Sequence, residues 1–261
     1  MEIHLSDAFD LTSFRNIWKS DELESDIDKV SNMLSESPLL LETLQLRRAS
    51  LAIIDLRQMR YLCSFGDAED VCGWPKAHLL RDGVGYFLSK LVPADCKGLE
   101  KMSELVSQYV VKIGDDKIKH FKAFFDFQMT RPDGSVRRIM QEGVALQRDP
   151  SGNITFLLAL ISDVSHMKRE GRQHLRLTDG SENLIYEYDT VNGACRQIER
   201  LTKRELEIAR LIGRKLSSEA IAKQLFISQN TVNTHRQNML RKFDMSDIME
   251  LLNFLSVYQL V

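Results

Sequence analysis

The sequence predicts an α+β protein: helical N-terminal residues, an antiparallel sheet with accompanying helices, and then a separate all-α module of four helices. Three observations carry this reading. The hydrophobic period changes from helical to alternating near Ser50. Two turn signals, Arg131–Gly134 and Asp149–Asn153, cut residues 121–164 into three alternating runs. Beyond residue 199 the alternation stops, and short amphipathic segments follow, opened by Thr202, Ser217 or Ser218, Ser228 and Ser246.

Residues 1–47 read as a helical segment. Leu23, Ile27, Val30 and Leu34 recur at spacings of four, three and four, as one helix face requires, and Pro38 interrupts the pattern before the leucine-rich run Leu39–Leu46. Residues 48–165 read as the sheet domain. Ser50–Asp55 and Tyr61–Phe65 are short strands about the turn Leu56–Arg60, and short helices fill Asp67–Trp74 and Pro75–Leu80. Pro93 opens the next element, and Gly98–Ile113 is a helix with Leu99, Met102, Leu105, Val106, Tyr109 and Val110 on one face. Phe121–Thr130, Ser135–Gln147 and Ile154–Val164 then form a three-stranded meander. Asp133–Gly134 supplies the positive-φ residue that its first hairpin wants. Residues 166–198 read as a linker with a small hairpin, Leu184–Asp189 and Ala194–Ile198, about Asn192–Gly193.

Residues 199–261 form the four-helix module. Thr202 and Glu205 have capping-box spacing, each side chain able to satisfy the other's backbone N–H. The helix they open buries Leu206, Ala209, Leu211 and Ile212. A second helix, Glu219–Phe226, turns Ile221, Ala222 and Leu225 inward. A third, Gln229–Phe243, buries Val232, Met239, Leu240 and Phe243. Its outward stripe is Asn230, Asn233, Thr234, Gln237 and Arg241. Amides pair bidentately with adenine, Thr meets a thymine methyl, and basic residues neutralise phosphates, so this stripe suits a major groove. The fourth helix is Ser246–Tyr258.

Charge agrees. Residues 203–242 hold nine Lys/Arg against three acids, whereas the whole chain has a net charge of −2. A basic segment on an acidic body fits a polyanion partner for that segment alone. No apolar run nears the roughly 20 residues of a membrane span, and Met1–Asp10 lacks a signal-peptide core, so the protein is expected to be cytoplasmic with no membrane partner. Cys63, Cys72, Cys96 and Cys195 fit no zinc template and are expected to be reduced thiols; no metal site is expected. No Ser/His/Asp grouping or P-loop is present, which argues against an enzyme.

The stretch LTKRELEIARLI…SSEAIAKQLFISQNTVNTHRQNMLRKF resembles the LuxR/FixJ-type helix-turn-helix family. The matching elements are Leu201–Glu205, Ile221–Leu225, Ile227–Ser228, Thr231–His235 and Lys242–Phe243. The resemblance implies a dimeric, DNA-binding transcription regulator. It assigns base contacts to Asn233, Thr234 and Gln237, phosphate contacts to Lys223, Thr231, Arg241 and Lys242, and a dimer contact on the fourth helix to Ile248, Leu252 and Leu255. His235 is expected to pack or touch phosphate rather than bind metal. Lys215 departs from the family, standing where a glycine usually lies between the first two helices.

Residues 48–165 resemble a PAS domain through Leu91–Asp95 (LVPAD), Thr130–Val136 (TRPDGSV) and Asp163–Ser165 (DVS). Such a fold either encloses a small molecule or serves only for dimerisation. Phe125, Phe127, Met140 and Leu158 are the candidate pocket residues, which a plain core would equally use. No cofactor is identified: no Asn-Cys-Arg triplet marks a flavin adduct, and His120 reads as a turn histidine rather than a haem ligand. The phosphoacceptor pattern of a receiver domain is absent. The expected partners are double-stranded DNA, a second copy of the chain, a small-molecule ligand and RNA polymerase. The alternative is a regulator that binds no DNA and docks on another transcription factor.

Overall fold

The computed structural model describes residue 32, residues 34–168 and residues 171–261. The helix expected over Asp21–Leu34 lies outside these residues except for Asn32 and Leu34. Two compact units divide the chain. Of the described residues, one holds those up to Ser165 together with Gly171–Arg196; the other holds 166–168 together with Gln197–Val261.

In the first unit, helix α1 (Pro38–Arg47) starts on a proline, whose missing N–H is no loss in a first turn. Strands β1 (Ala49–Asp55) and β2 (Arg60–Gly66) follow as a hairpin. Helix α2 (Ala68–Cys72) is capped by Asp67, which accepts the Asp70 N–H at 2.9 Å, and ends on Gly73 at φ 79°. Helix α3 (Lys76–Leu88) runs well past the expected Leu80, with a break at Gly83 (φ 71°) that re-aims the chain instead of ending it. Helix α4 (Pro93–Lys112) begins at the proline itself, five residues before the expected start, and α5 (Asp115–Ile118) is a single turn. Strands β3 (Lys122–Thr130), β4 (Val136–Arg148) and β5 (Ile154–Asp163) form the expected meander.

The 166–198 stretch departs from its reading as a linker with one hairpin. Alongside the hairpin strands β7 (Asn183–Asp189) and β8 (Ala194–Gln197) it contains a further strand, β6 (His174–Thr178). All three join one eight-stranded sheet of order β2-β1-β5-β4-β3-β6-β7-β8, with β6 antiparallel to β3. The polar residues that made β6 look like a linker are buried in the sheet. The Arg176 guanidinium stacks 4.6 Å from the Phe124 ring and bonds Asn183 Oδ1. The Asp126 carboxylate takes the His174 N–H and the Arg138 guanidinium, and Arg138 also donates to the Gly171 carbonyl.

Side chains on paired strands share a face, so register sorts the sheet into two layers. One face carries Ile54, Ala123, Phe125, Phe127, Leu157, Leu175 and Leu177, and packs with α2, α3 and α4 into the main core. The reverse face carries Leu51, Leu158 and Leu160, against which α1 sets Leu44. Helix α4 lies close to β6 and β7: a Cβ on Gly98 would stand 1.9 Å from Gln173 Oε1 and 2.9 Å from Tyr188 Cδ1.

The second unit holds the four expected helices: α6 (Lys203–Gly213), α7 (Ser218–Leu225), α8 (Gln229–Phe243) and α9 (Ile248–Val257). Ile208, Ala209, Ile221, Val232, Met239 and Leu251 are its buried centre. Phe243, Phe254 and Tyr258 stack in series at centroid distances of 5.0 and 4.5 Å. Lys168, from the early stretch, places its ammonium 5.4 Å from the Tyr258 ring centroid and 3.4 Å from its hydroxyl. No helix among the described residues is long and apolar enough to cross a membrane.

Candidate nucleic-acid interface and core cavity

The helix-turn-helix geometry rests on local caps. Thr202 and Glu205 form both bonds of the capping box: Thr202 Oγ1 accepts the Glu205 N–H at 3.2 Å, and Glu205 Oε2 accepts the Thr202 N–H at 2.7 Å. Ser217 caps α7 by accepting the Ala220 N–H, and Ser228 caps α8 by accepting the Thr231 N–H at 3.0 Å. Between α7 and α8 the chain turns through Phe226 at φ 55°, while Arg204 donates to the Leu225 carbonyl and so closes the end of α7. Lys215, at the family's glycine position, has φ 64° and therefore holds a backbone conformation that glycine adopts without strain.

Helix α8 exposes Asn233, Thr234 and Gln237. Among the described residues the amides of Asn233 and Gln237 make no side-chain hydrogen bond. Thr234 Oγ1 donates to the Asn230 carbonyl at 3.0 Å, which fixes its rotamer. Asn233 and Gln237 also line a shallow groove with Arg236, Leu240, Ser246, Asp247 and Ile248. The four phosphate candidates do not behave alike. Lys223 is exposed and pairs with Glu219 at 3.0 Å, a solvated pair that binds it weakly. Arg241 is exposed and donates to Asn238, and Thr231 is exposed with its hydroxyl 2.8 Å from Ser228 Oγ.

Lys242 is placed otherwise, and its assignment as a phosphate contact is corrected. Its side chain is 7% exposed. Its three ammonium donors have Glu205 Oε2 at 2.9 Å, Glu199 Oε1 at 3.0 Å and the Arg200 carbonyl at 3.0 Å. Burial pushes the Glu205 carboxyl up, but the Thr202 N–H and the Lys242 ammonium outweigh it and hold it below the usual carboxylate range. Lys242 thus ties the end of α8 to the start of α6. His235 is half-buried.

The dimer assignment on α9 changes as well. Leu255 is fully buried and Leu252 is 7% exposed, so both are spent within the chain; Ile248 is half-buried. The apolar side chain that α9 does expose is Met249. The helix is apolar on more than one stripe, and one buried stripe could not be told from another by spacing.

In the first unit the motif pieces are structural devices. The Val92 N–H donates to the Gln128 carbonyl, Pro93 starts α4, and Asp95 accepts the Gln128 N–H, so the LVPAD segment pins α4 to β3. Asp133 accepts the Ser135 N–H and hydroxyl and holds the β3–β4 turn. Ser165 accepts the Arg138 N–H and so finishes β5 beside β4.

Between the sheet and α3–α4 lies a cavity lined by apolar side chains, including Ile54, Leu56, Phe87, Leu99 and Phe125, together with Tyr61, Ser103 and Gln141. Of the four pocket candidates only Phe125 lines it. Phe127 shares that face but packs edge-on to Phe87 at 5.6 Å. Met140 and Leu158 are corrected to the reverse face, because Met140 pairs with Asp126 and Leu158 with Ile53, each one residue out of step with the cavity-lining set. Spacing alone missed Tyr61, Ser103 and Gln141, which sit on three different elements. His120 is exposed in the turn before β3, and among the described residues no group of three His, Cys, Asp or Glu could hold a metal ion.

Comparison with known proteins gives a family for one part of the chain. Residues 199–255 match the bacterial regulatory proteins of the luxR family. The nitrate/nitrite response regulator protein homolog of Haemophilus influenzae is 36% identical over 81 residues, which is 31% of this chain and 38% of that protein. The transcriptional regulatory protein LiaR of Bacillus subtilis is 51% identical over 49 residues, 19% of this chain and 23% of that protein. The chain thus spans well under half the length of these relatives. Among solved structures, the Vibrio cholera VqmA–ligand–DNA complex is 15% identical, covering 90% of this chain and 89% of that one at a TM-score of 0.32.

Proposed function

We propose that this chain, whose residues 199–255 are a luxR-family DNA-binding domain, is a transcription regulator in which the PAS-like unit governs DNA reading by α8. The observation that carries the reading is the exposed edge Asn233–Thr234–Gln237, set on a helix fixed by the Ser228 cap and carrying amides that bond no other side chain. Lys223, Thr231 and Arg241 flank that edge and suit phosphate oxygens. The working form is a homodimer on double-stranded DNA, with two copies of α8 about one helical turn apart, roughly 34–36 Å. On α9, Ile248 and Met249 remain available to a partner copy. A small molecule within the first unit is the signal, contact with RNA polymerase is the output, and the protein works in the cytoplasm.

The test is a binding assay on selected operator DNA and on random DNA across a salt series. Asn233→Ala with Gln237→Ala should cost about 1–3 kcal/mol of discrimination per lost bidentate contact and leave salt-dependent nonspecific binding in place. Unchanged selectivity in the double variant refutes this docking. A folded protein that binds no DNA below about 0.1 M salt refutes DNA reading and supports docking on another regulator.

A further inference from the structure

The main core holds an oddity. Buried polar groups in folded proteins nearly always have hydrogen-bond partners. Yet Tyr61 on β2, Ser103 on α4 and Gln141 on β4 all line the same cavity, and none of their side chains makes a hydrogen bond within the described residues. Ser103 is 1% exposed and Tyr61 9%, whereas Gln141 is half-buried. Each comes from a different element, and every other lining side chain is apolar or a glycine. No charged side chain lines the cavity, and burial holds the Tyr61 phenol far above its usual range, so it stays neutral.

The placement of Gln141 makes the point sharper. Its face of the sheet is otherwise apolar at Ile139, Phe125 and Ile161, its neighbours along β4 and across to β3 and β5. A leucine there would fill space and desolvate nothing. An amide is costly unless something pairs with it. Next to it on the same face is Gly143, where a Cβ would stand 3.3 Å from Leu157 Cδ1. The cavity encloses about 50 Å³. That suits a small guest and not an extended lipid tail.

We propose that the signal molecule is a small, neutral, mostly apolar compound carrying a hydrogen-bonding edge, and that Tyr61, Ser103 and Gln141 recognise that edge. This rests on the reading of the first unit as a ligand-receiving domain. A hydroxyl, a phenol and an amide can each donate and accept, so they fit a guest with both kinds of group on one side. A carboxylate or ammonium guest would be desolvated with no counter-charge and is rejected.

The test uses the full chain and four probes of one shape: benzamide, benzoate, benzylamine and toluene. Binding is read by titration calorimetry, and the same protein is assayed for operator DNA. Benzamide should bind at least tenfold more tightly than the other three. Tyr61→Phe, Ser103→Ala and Gln141→Leu should each weaken it by about three- to tenfold, with circular dichroism and DNA binding without probe unchanged. Equal binding of benzamide and toluene, tighter binding of benzoate, or no binding of any probe overturns the proposal. So does unchanged benzamide affinity in the Ser103→Ala and Gln141→Leu proteins. Operator binding separates the two readings. If it persists while every probe fails, the regulator stands and this ligand chemistry falls. If the protein binds benzamide as expected but no DNA, the ligand chemistry stands and the regulator falls.

Discussion

Replacing Lys242 by Met keeps most of the side-chain volume and removes one charge from a buried knot. Glu205 would keep the Thr202 N–H but lose its cation, and Glu199, 72% exposed, would turn to solvent. Removing one partner of a buried pair costs about 3–5 kcal/mol. The surviving N–H bond puts the loss at the low end, about 3 kcal/mol. A unit of this size loses roughly 4–8 °C of Tm per kcal/mol, so the helix-turn-helix unit should melt on the order of 12 °C or more lower. Glu205 sits below the usual carboxylate range, so its pairing adds stability above the unfolded value and loses it as pH falls through the folded one. Lys242→Met should therefore flatten the acid limb of the stability curve. The assays are calorimetric melts across pH and, below the melt, operator titrations across salt. A phosphate-binding lysine would do the opposite, leaving Tm alone and lowering the salt slope by about one. An unchanged Tm with a reduced slope refutes the structural role.

Lys215→Gly should raise the melting temperature by about 3 °C, because relief of a left-handed backbone at φ 64° outweighs the extra entropy of an unfolded glycine; thermal melts check it, and a lower Tm counts against the strain. Gly98→Ala should cost about 1–3 kcal/mol in denaturant unfolding, since its methyl meets Gln173 and Tyr188. Burial raises the Glu187 carboxyl, but His174, Arg196 and Arg172 more than offset this and bring it down to about 2. Its pairing should then add stability above about pH 4.5 and lose on the order of 2 kcal/mol as pH falls towards 2. Urea melts of Glu187→Gln should show that acid dependence removed.

What the sequence made legible was local. The capping box, the Ser217 and Ser228 caps and the Asp-Gly and Asn-Gly turns are short-range chemistry, and they appear where expected, whereas the fourth helix is capped by Asp247 and not by Ser246. The motif of spaced helix-turn-helix residues likewise needed no tertiary information. What escaped depends on partners far along the chain. Lys242 looks like any solvated lysine until Glu205, 37 residues earlier, is found beside it. Strand β6 escaped because its Arg176 and His174 are buried on the reverse face, where Arg176 lies over Phe124 and the His174 ring stands 3.4 Å from the Glu187 carboxylate. The cavity was misassigned through parity. Strand β5 is apolar on both faces, and β4 places Gln141 and Gly143 on its core face, so neither strand's pattern told inside from outside.

The docking of Lys168 on Phe254 and Tyr258 means that the helix-turn-helix unit is not a sequence cassette. The chain enters it at His166, leaves to make three strands of the other unit, and returns at Gln197. During synthesis its first piece emerges long before the rings it covers, so the unit is completed only when the last helix is made. A fusion that borrows residues 199–261 alone would inherit the reading helix but leave one side of the Phe254–Tyr258 stack bare. Grafting the fold's output onto another protein therefore calls for two splice points rather than one.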